Sequence, residues 1–449
     1  LIAVFDIKKN EYNAFKKTLR TMENEGLIIR TKKDKYMIAN ANHEEEGLII
    51  GSLQSHSKGF GFLIPEEEGQ KDVFIPSNCI NGAMNGDKIS VRVTREDTKT
   101  KKREGEVVEI IERNTTRIVG VYEDSKNFGF VVSEDPRISK DVFISKKDRN
   151  GANDGDVVTV KITKWPEENR KAEGVVTEVL GRKGDRGIDI LMIIKKLGLP
   201  EEFSEKVQKY AEGISDEIDE EEYKGRRDLR DLRMVTIDGE DAKDLDDAVS
   251  IEKLSNGNFK LGVHIADVTH YVKENSPLDK EALKRATSVY LIDRVVPMLP
   301  RKLSNGICSL NPRVDRLTLT CFMEIDHKGK VVDHEIVESV IKTNERMTYK
   351  DVTKILRDND EELIKRYDYL VDDFKMMEEL CGILRNKRTK RGAIDFEIAE
   401  AKITLNELGK PIEIKPYDRE ISNRMIEEFM LAANETVAEH MFGTQRPFV

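Results

Sequence analysis

KGFGFL at Lys58–Leu63, KDVFI at Lys71–Ile75 and NGAMNGDKI at Asn81–Ile89 return as KNFGFV at Lys126–Val131, KDVFI at Lys140–Ile144 and NGANDGDVV at Asn150–Val158. The offset is 68 to 69 residues throughout, so the middle of the chain is one structural unit present twice. Each copy strings short β-branched and aromatic segments between Gly, Asn and Asp turns, as a five-stranded barrel does. Alternation places Phe60 and Phe62 on one face with Phe74 on the neighbouring strand, and Phe128, Phe130 and Phe143 repeat the arrangement. Such rings either fill the barrel or stand on its outer face, where stacked bases of a single strand gain about 1–3 kcal/mol each.

On the N-terminal side, Tyr12, Phe15, Leu19 and Met22 recur at three- and four-residue spacing, and two short apolar runs, LII and YMI, follow around a charged turn. This pattern predicts the end of a winged helix whose wing carries Lys32, Lys33 and Lys35. On the C-terminal side, IDILMIIKKLGL precedes ten acidic residues against Lys206 and Lys209 between Glu201 and Glu222, which reads as a connecting helix and an acidic linker. That one segment holds −8 of the net charge of −10. The remainder is therefore close to neutral, and overall acidity does not exclude a polyanionic partner. Basic runs stand at Arg92, Arg95, Lys99, Lys101, Lys102 and Arg103, and at RNKRTKR from Arg385 to Arg391; each reads equally as an ordinary solvated face.

With 449 residues, 38% hydrophobic and 36% charged, the chain is expected to hold three or four domains. No apolar run approaches the length that spans a bilayer, and no signal stretch is expected. The four cysteines, Cys79, Cys308, Cys321 and Cys381, form no CxxC pair, which argues against a zinc module or a disulfide framework and fits a reducing cytoplasm.

The chemistry is concentrated in TIDGEDAKDLDDAVS, Thr236–Ser250, where Asp238, Asp244, Asp246 and Asp247 fall within ten residues. Carboxylates this close repel unless cations lie between them, and hard divalent ions such as Mg²⁺ favour oxygen ligands. The plain alternative is a solvated acidic turn. Against it, Val235 and Ile237 on one side and Ala248, Val249 and Ile251 on the other are strand formers, so the cluster abuts buried strands. Downstream, KLGVHIADVTHYV adds His264, Asp267 and His270; their spacing is not that of a zinc site, and a hydrogen-bonded histidine at a strand end is the favoured reading. EISNRMIEEFMLAANETVAEHMF predicts a long helix burying Met425, Phe429, Met430, Ala433 and Val437.

The duplicated K-x-F-G-F and D-V-F-I segments resemble the RNA-binding strands of cold-shock domains, which favours the outward placement of their phenylalanines. Together with TIDGEDAKDLDDAVS, GVHIADVTHYV, RATSVYLIDRVVPMLP, LSNGICSLNPRVDRLTLT, RGAIDFE and ISNRMIEEFMLAAN, the chain resembles the ribonuclease II/ribonuclease R family of 3′-to-5′ exoribonucleases, and ribonuclease R more than ribonuclease II. The resemblance covers essentially the whole chain.

It implies a multidomain α+β fold: a partial winged helix over 1–45, OB-type barrels over 46–113 and 114–182, an acidic helical linker over 183–224, and an incomplete mixed α/β RNB catalytic domain over 225–449. It also implies Mg²⁺-dependent, stepwise hydrolysis of single-stranded RNA to nucleoside 5′-monophosphates in RNA turnover and quality control. The family's catalytic and metal-binding aspartates match Asp238, Asp244, Asp246 and Asp247, and its clamp on the terminal bases matches Tyr290 and Phe396. A helix carboxylate near the site falls at Glu427 or Glu428, with Glu428 counted among the RNA-binding residues. Single-stranded RNA is the expected partner, with the ribosome or RNA-decay proteins as further candidates, for a cytoplasmic monomer. The family's SPIRRY-type arginine motif and S1 barrel would lie beyond Val449, so the chain by itself is expected to bind metal and RNA yet degrade poorly. The competing readings are a non-catalytic RNA-binding regulator with a degenerate nuclease domain, and a DNA nuclease.

Overall fold

Strand alternation in the two copies closes each into a barrel. The computed structural model describes residues 12–24, 28–30, 36–38, 48–97, 102–138, 140–167, 170–394, 400–417 and 419–446. The chain divides into two compact units, Leu1–Leu197 and Gly198–Val449.

The first unit begins with helix α1 (Tyr12–Asn24) and an antiparallel pair, β1 (Ile28–Arg30) and β2 (Tyr36–Ile38), with Ile28 opposite Ile38. Lys32, Lys33 and Lys35 lie outside the described residues. The first barrel is built from β3 (Leu48–Ser55), β4 (Gly61–Pro65), β5 (Val73–Ile75), β6 (Lys88–Glu96) and β7 (Arg103–Glu112). The second repeats it as β8 (Arg117–Ser125), β9 (Phe128–Ser133), β10 (Val142–Ser145), β11 (Asp156–Lys164) and β12 (Glu173–Arg182). Both close in the same order, the third strand running parallel to the fifth and the fourth returning to the first, which is an OB-type barrel. Leu63, Val73 and Ile75 fill the first barrel and Val131, Val142 and Ile144 the second. The second core also takes Tyr122, whose ring leaves no room for a side chain at position 129: a Cβ there would lie 2.4 Å from it.

The stretch read from sequence as one linker is shared between the units. Helix α2 (Ile188–Lys196) lays Ile188, Leu191 and Met192 on Val119, Val121, Val157 and Leu180 of the second barrel. Helix α3 (Glu205–Glu212) instead buries Val207 and Ala211 against Leu278, Leu303 and Ile307 of the second unit.

The second unit is organised on a seven-stranded mixed sheet. Its strands are β13 (Arg227–Asp228), β14 (Val235–Asp238), β15 (Asp247–Lys253), β16 (Phe259–Ala266), β19 (Asp315–Ile325), β20 (Val331–Lys342) and β21 (Glu345–Thr348), in the order β13-β20-β19-β16-β15-β14-β21. Between β16 and β19 come α4 (Val268–Tyr271), α5 (Pro277–Arg285) and a hairpin of β17 (Val289–Tyr290) and β18 (Val295–Val296). After β21 follow α6 (Tyr349–Thr353), α7 (Glu361–Arg366), α8 (Asp368–Arg391), the hairpin β22 (Ala401–Leu405) and β23 (Pro411–Pro416), and α9 (Ile421–Gly443).

One face of the sheet presents Val249, Leu261, Val263, Met323 and Met347 to Phe374, Leu380, Met425 and Phe429 of α8 and α9. The opposite face carries a buried polar ladder. His264 meets Ser250 Oγ through Nε2 at 3.0 Å and Thr320 Oγ1 through Nδ1 at 2.8 Å, and Thr320 meets Ser339 Oγ at 2.6 Å. Gly262 makes room for it, since a Cβ there would lie 2.4 Å from Ser250 Oγ. Burial pushes the His264 imidazole down to about 3, so the ring is neutral.

Candidate active site

The four aspartates occupy one turn between neighbouring strands. Asp238 is the last residue of β14, Asp247 the first of β15, and Asp244 and Asp246 lie in the connecting loop. Two braces from distant sequence hold this loop. On one side Arg346 of β21 donates through Nη2 to the carbonyl oxygens of Gly239, Glu240 and Ala242 at 3.0, 2.8 and 2.9 Å. On the other, Ser309 Oγ accepts from Leu245 N–H at 3.1 Å and donates to Lys243 O at 2.9 Å, while Leu310 N–H donates to Leu245 O at 2.8 Å. Neither brace was apparent in the sequence, although Ser309 lies inside the LSNGICSLNPRVDRLTLT motif.

The electrostatics are those of crowded, partly dehydrated carboxylates. Burial, then the charge of Asp247, raises Asp238 to about 7 against the opposing pull of Arg346. Burial and Asp246 raise Asp247 to about 6, and partial loss of solvent together with Asp244 raises Asp246. Asp238 Oδ2 is buried with no hydrogen-bond partner among the described residues. An all-oxygen donor set, one orphaned buried oxygen and upward-shifted carboxyls are what a hard divalent cation would relieve. Among the described residues, however, no group of three or more His, Cys, Asp or Glu side chains converges closely enough to hold an ion as they stand. Like charges keep apart, and Asp244 is turned instead to Tyr290, whose Oη donates to Asp244 Oδ2 at 2.5 Å.

Tyr290 stands on the β17–β18 hairpin with 63% of its surface exposed, so its ring is open while its hydroxyl is anchored. The hydrogen bond to Asp244, then burial, pushes its hydroxyl up to about 12. A second tyrosine was not anticipated: burial, then the charges of Asp238 and Asp247, raise the Tyr349 hydroxyl. Phe396 lies outside the described residues. Glu428 is buried and paired with Arg388 of α8 at 2.6 Å, whereas Glu427 is on the surface paired with Arg419. The RNKRTKR run forms the last turns of α8, where Arg388 and Arg391 pair with Glu428 and Glu435 of α9. These two guanidiniums thereby join the two helices.

The histidines near the cluster are accounted for. His264 belongs to the ladder, Asp267 pairs with Arg226 at 2.6 Å with both side chains buried, and His270 Nε2 meets Glu222 at 2.6 Å.

In the barrels the phenylalanines point outward. Phe62 and Phe74 are cross-strand partners, and with Phe60 their ring centroids are 5.5 to 5.9 Å apart. Phe128, Phe130 and Phe143 repeat this at 5.5 to 6.0 Å. All six are partly or well exposed, while the residues alternating with them are buried. His56 extends the first group, stacked on Phe60 at 4.3 Å, and Lys171 Nζ lies 4.3 Å over the Phe130 ring in the second.

Comparison with known proteins agrees with this layout. The RNB domain profile matches residues 226–449, the cold shock domain profile 130–204 and the ribonuclease B OB domain profile 51–110. Ribonuclease R 1 of Lactococcus lactis is 44% identical over 460 residues, covering 100% of this chain and 56% of the relative. Ribonuclease R of Thermotoga maritima is 43% identical over 438 residues, covering 97% and 60%. The chain thus spans little more than half the length of these relatives. The structure of Mycoplasma genitalium RNase R in complex with ribose methylated single-stranded RNA superposes with a TM-score of 0.82 at 29% identity, over 88% of this chain and 62% of that one. The chain belongs to the RNB family and, within it, groups with the ribonuclease R proteins.

Proposed function

We propose that the protein is a 3′-to-5′ exoribonuclease that hydrolyses single-stranded RNA stepwise to nucleoside 5′-monophosphates, with Mg²⁺ held by the Asp238–Asp247 loop. The observation that carries this reading is the aspartate loop, where Asp238 keeps an unpaired, buried oxygen beside Asp247 while Arg346 and Ser309 hold the backbone in place. A bound divalent ion would supply a water of lowered pKa and stabilise charge on the leaving 3′ oxygen. The chain's own residues do the rest. Asp238, Asp246 and Asp247 are the candidate ligands, and Asp244 orients Tyr290 so that its exposed ring can stack on a terminal base. Phe60, Phe62 and Phe74, with Phe128, Phe130 and Phe143, offer two sequence-tolerant stacking platforms. The solved relative bound to single-stranded RNA supports this class of partner. Helix α1 with β1 and β2 fits the end of a winged helix, and the proposed domain limits are 1–45, 46–113, 114–182 and 225–449, with 183–224 as the connection divided between the two units. The proposed setting is a reducing cytoplasm.

The test uses 5′-labelled RNA with and without chelator. In a form extended to the length of the relatives, the expected result is a Mg²⁺-dependent ladder of shortened products that Asp246→Asn abolishes while leaving RNA affinity near that of the wild type. The second reading, an RNA-binding regulator, is favoured by the lack of a converged set of three ligands among the described residues. RNA binding with no Mg²⁺-dependent shortening, in this chain and in a longer form alike, would select it. A 2′-deoxyribose residue at the 3′ end of the same substrate separates RNA from DNA specificity.

A further inference from the structure

Two histidines with no part in the aspartate loop meet on the surface of the second unit. His334 lies on β20 opposite Met323 of β19, on the face that the helices cover. Thr436 of α9 contacts Met323 Sδ at 3.3 Å, and His440 follows one helical turn later, so the seating of helix on sheet brings it to His334. Nε2 of His334 and Nδ1 of His440 are 3.0 Å apart, with the rings at 89° to each other. Both residues are exposed.

We propose that His334 and His440 form a binding site for a late first-row divalent transition ion, of the Ni²⁺, Cu²⁺ or Zn²⁺ class, clipping β20 to the last turn of α9. An imidazole–imidazole hydrogen bond uses one N–H and one lone pair; an ion between the rings binds both lone pairs, the donor ring's proton passing through solvent to that ring's other nitrogen. With metal–nitrogen bonds of about 2.0–2.1 Å, two cis ligands at a right angle stand about 2.9 Å apart, and two tetrahedral ligands about 3.3 Å. The observed separation is the former, so small ring rotations suffice for a square-planar or octahedral ion, and zinc requires a slight opening. Imidazole nitrogen favours these ions over Mg²⁺, which divides this site chemically from the all-oxygen aspartate loop. The negative end of the α9 dipole lies in the turn that carries His440 and favours a cation there. Among the described residues no third His, Cys, Asp or Glu completes a group of three, so water fills the remaining positions and the ion exchanges readily.

The test titrates tag-free protein with NiCl₂ at about pH 7.5 in buffer with MgCl₂ in large excess to occupy the aspartate loop, following bound ion by calorimetry and the thermal midpoint of unfolding. The variants are His334→Asn, His440→Asn and Asp246→Asn, each checked for folding by far-ultraviolet circular dichroism. One ion per chain and a raised midpoint are expected in the wild type and in Asp246→Asn. Both are lost in either histidine variant. Ni²⁺ binding that survives both histidine substitutions, binding lost in Asp246→Asn, or no binding by the folded wild type would overturn the proposal.

Discussion

At the scale of single residues, the second unit contains two kinds of acid. Asp238 and Asp247 are pushed up by burial and like charge, while Asp267 is held down. Burial alone would raise Asp267, but hydrogen bonds from Arg226 and Thr269 and the Arg226 charge outweigh it. Removing one member of a buried pair strands the other, so Asp267→Ala is expected to destabilise this unit by about 3 kcal/mol in urea unfolding at neutral pH. A depressed carboxyl contributes its stability above the unfolded value of about 3.9 and loses it as pH falls through the folded value. The gap between wild type and variant should therefore be constant above about pH 5 and shrink in acid; a gap that widens in acid would contradict this assignment. For Tyr290, whose hydroxyl and ring have separate tasks, Tyr290→Phe should keep most of the affinity for an RNA 3′ end, and Tyr290→Ala should lose about 1–3 kcal/mol of it. The aspartates were legible in the sequence because they are adjacent in it. Tyr349 was not, because nothing in TYKD distinguishes a tyrosine folded back towards Asp238 from one packed in a core.

Among the elements, β21 acts on the aspartate loop although its Arg346 is 104 to 107 residues away in sequence from the carbonyls it binds. Arg346→Met removes one NH₂ group whose two hydrogens are shared among three carbonyl oxygens, and a hydrogen bond from a cation is worth about 1.5–3 kcal/mol. The expected outcome is a higher Mg²⁺ requirement for RNA shortening, with RNA binding by the barrels unchanged; an unaltered Mg²⁺ titration would refute the brace. The barrels were the most readable part of the chain, because period-two alternation separates Phe62 and Phe74 from Leu63 and Val73, and repetition supplies a control. Phe62→Ala with Phe74→Ala should weaken binding of single-stranded RNA by about 2–6 kcal/mol if each ring stacks one base. The end of α8 was harder to read. A run of arginines and lysines announces charge but not its partners, and Glu428 and Glu435, which neutralise Arg388 and Arg391, belong to a helix 40 to 44 residues further on.

At the level of the whole molecule, separate cores in Leu1–Leu197 and Gly198–Val449 imply separate melting. Calorimetry should resolve more than one transition, and Mg²⁺ should raise only the one that Asp267→Ala lowers. The polar ladder in the second unit's sheet bears on the aspartate loop from a distance. Shifting β16 by one residue against β15 would carry His264 into the packed helices and bring Val263 into the company of Ser250 and Thr320, leaving hydroxyls and imidazole unsatisfied together. The ladder works as a key that admits a single threading of the sheet. Since Asp247 sits opposite Ile265 only in that threading, a neutral histidine buried in the sheet helps fix where the carboxylate emerges at the strand end.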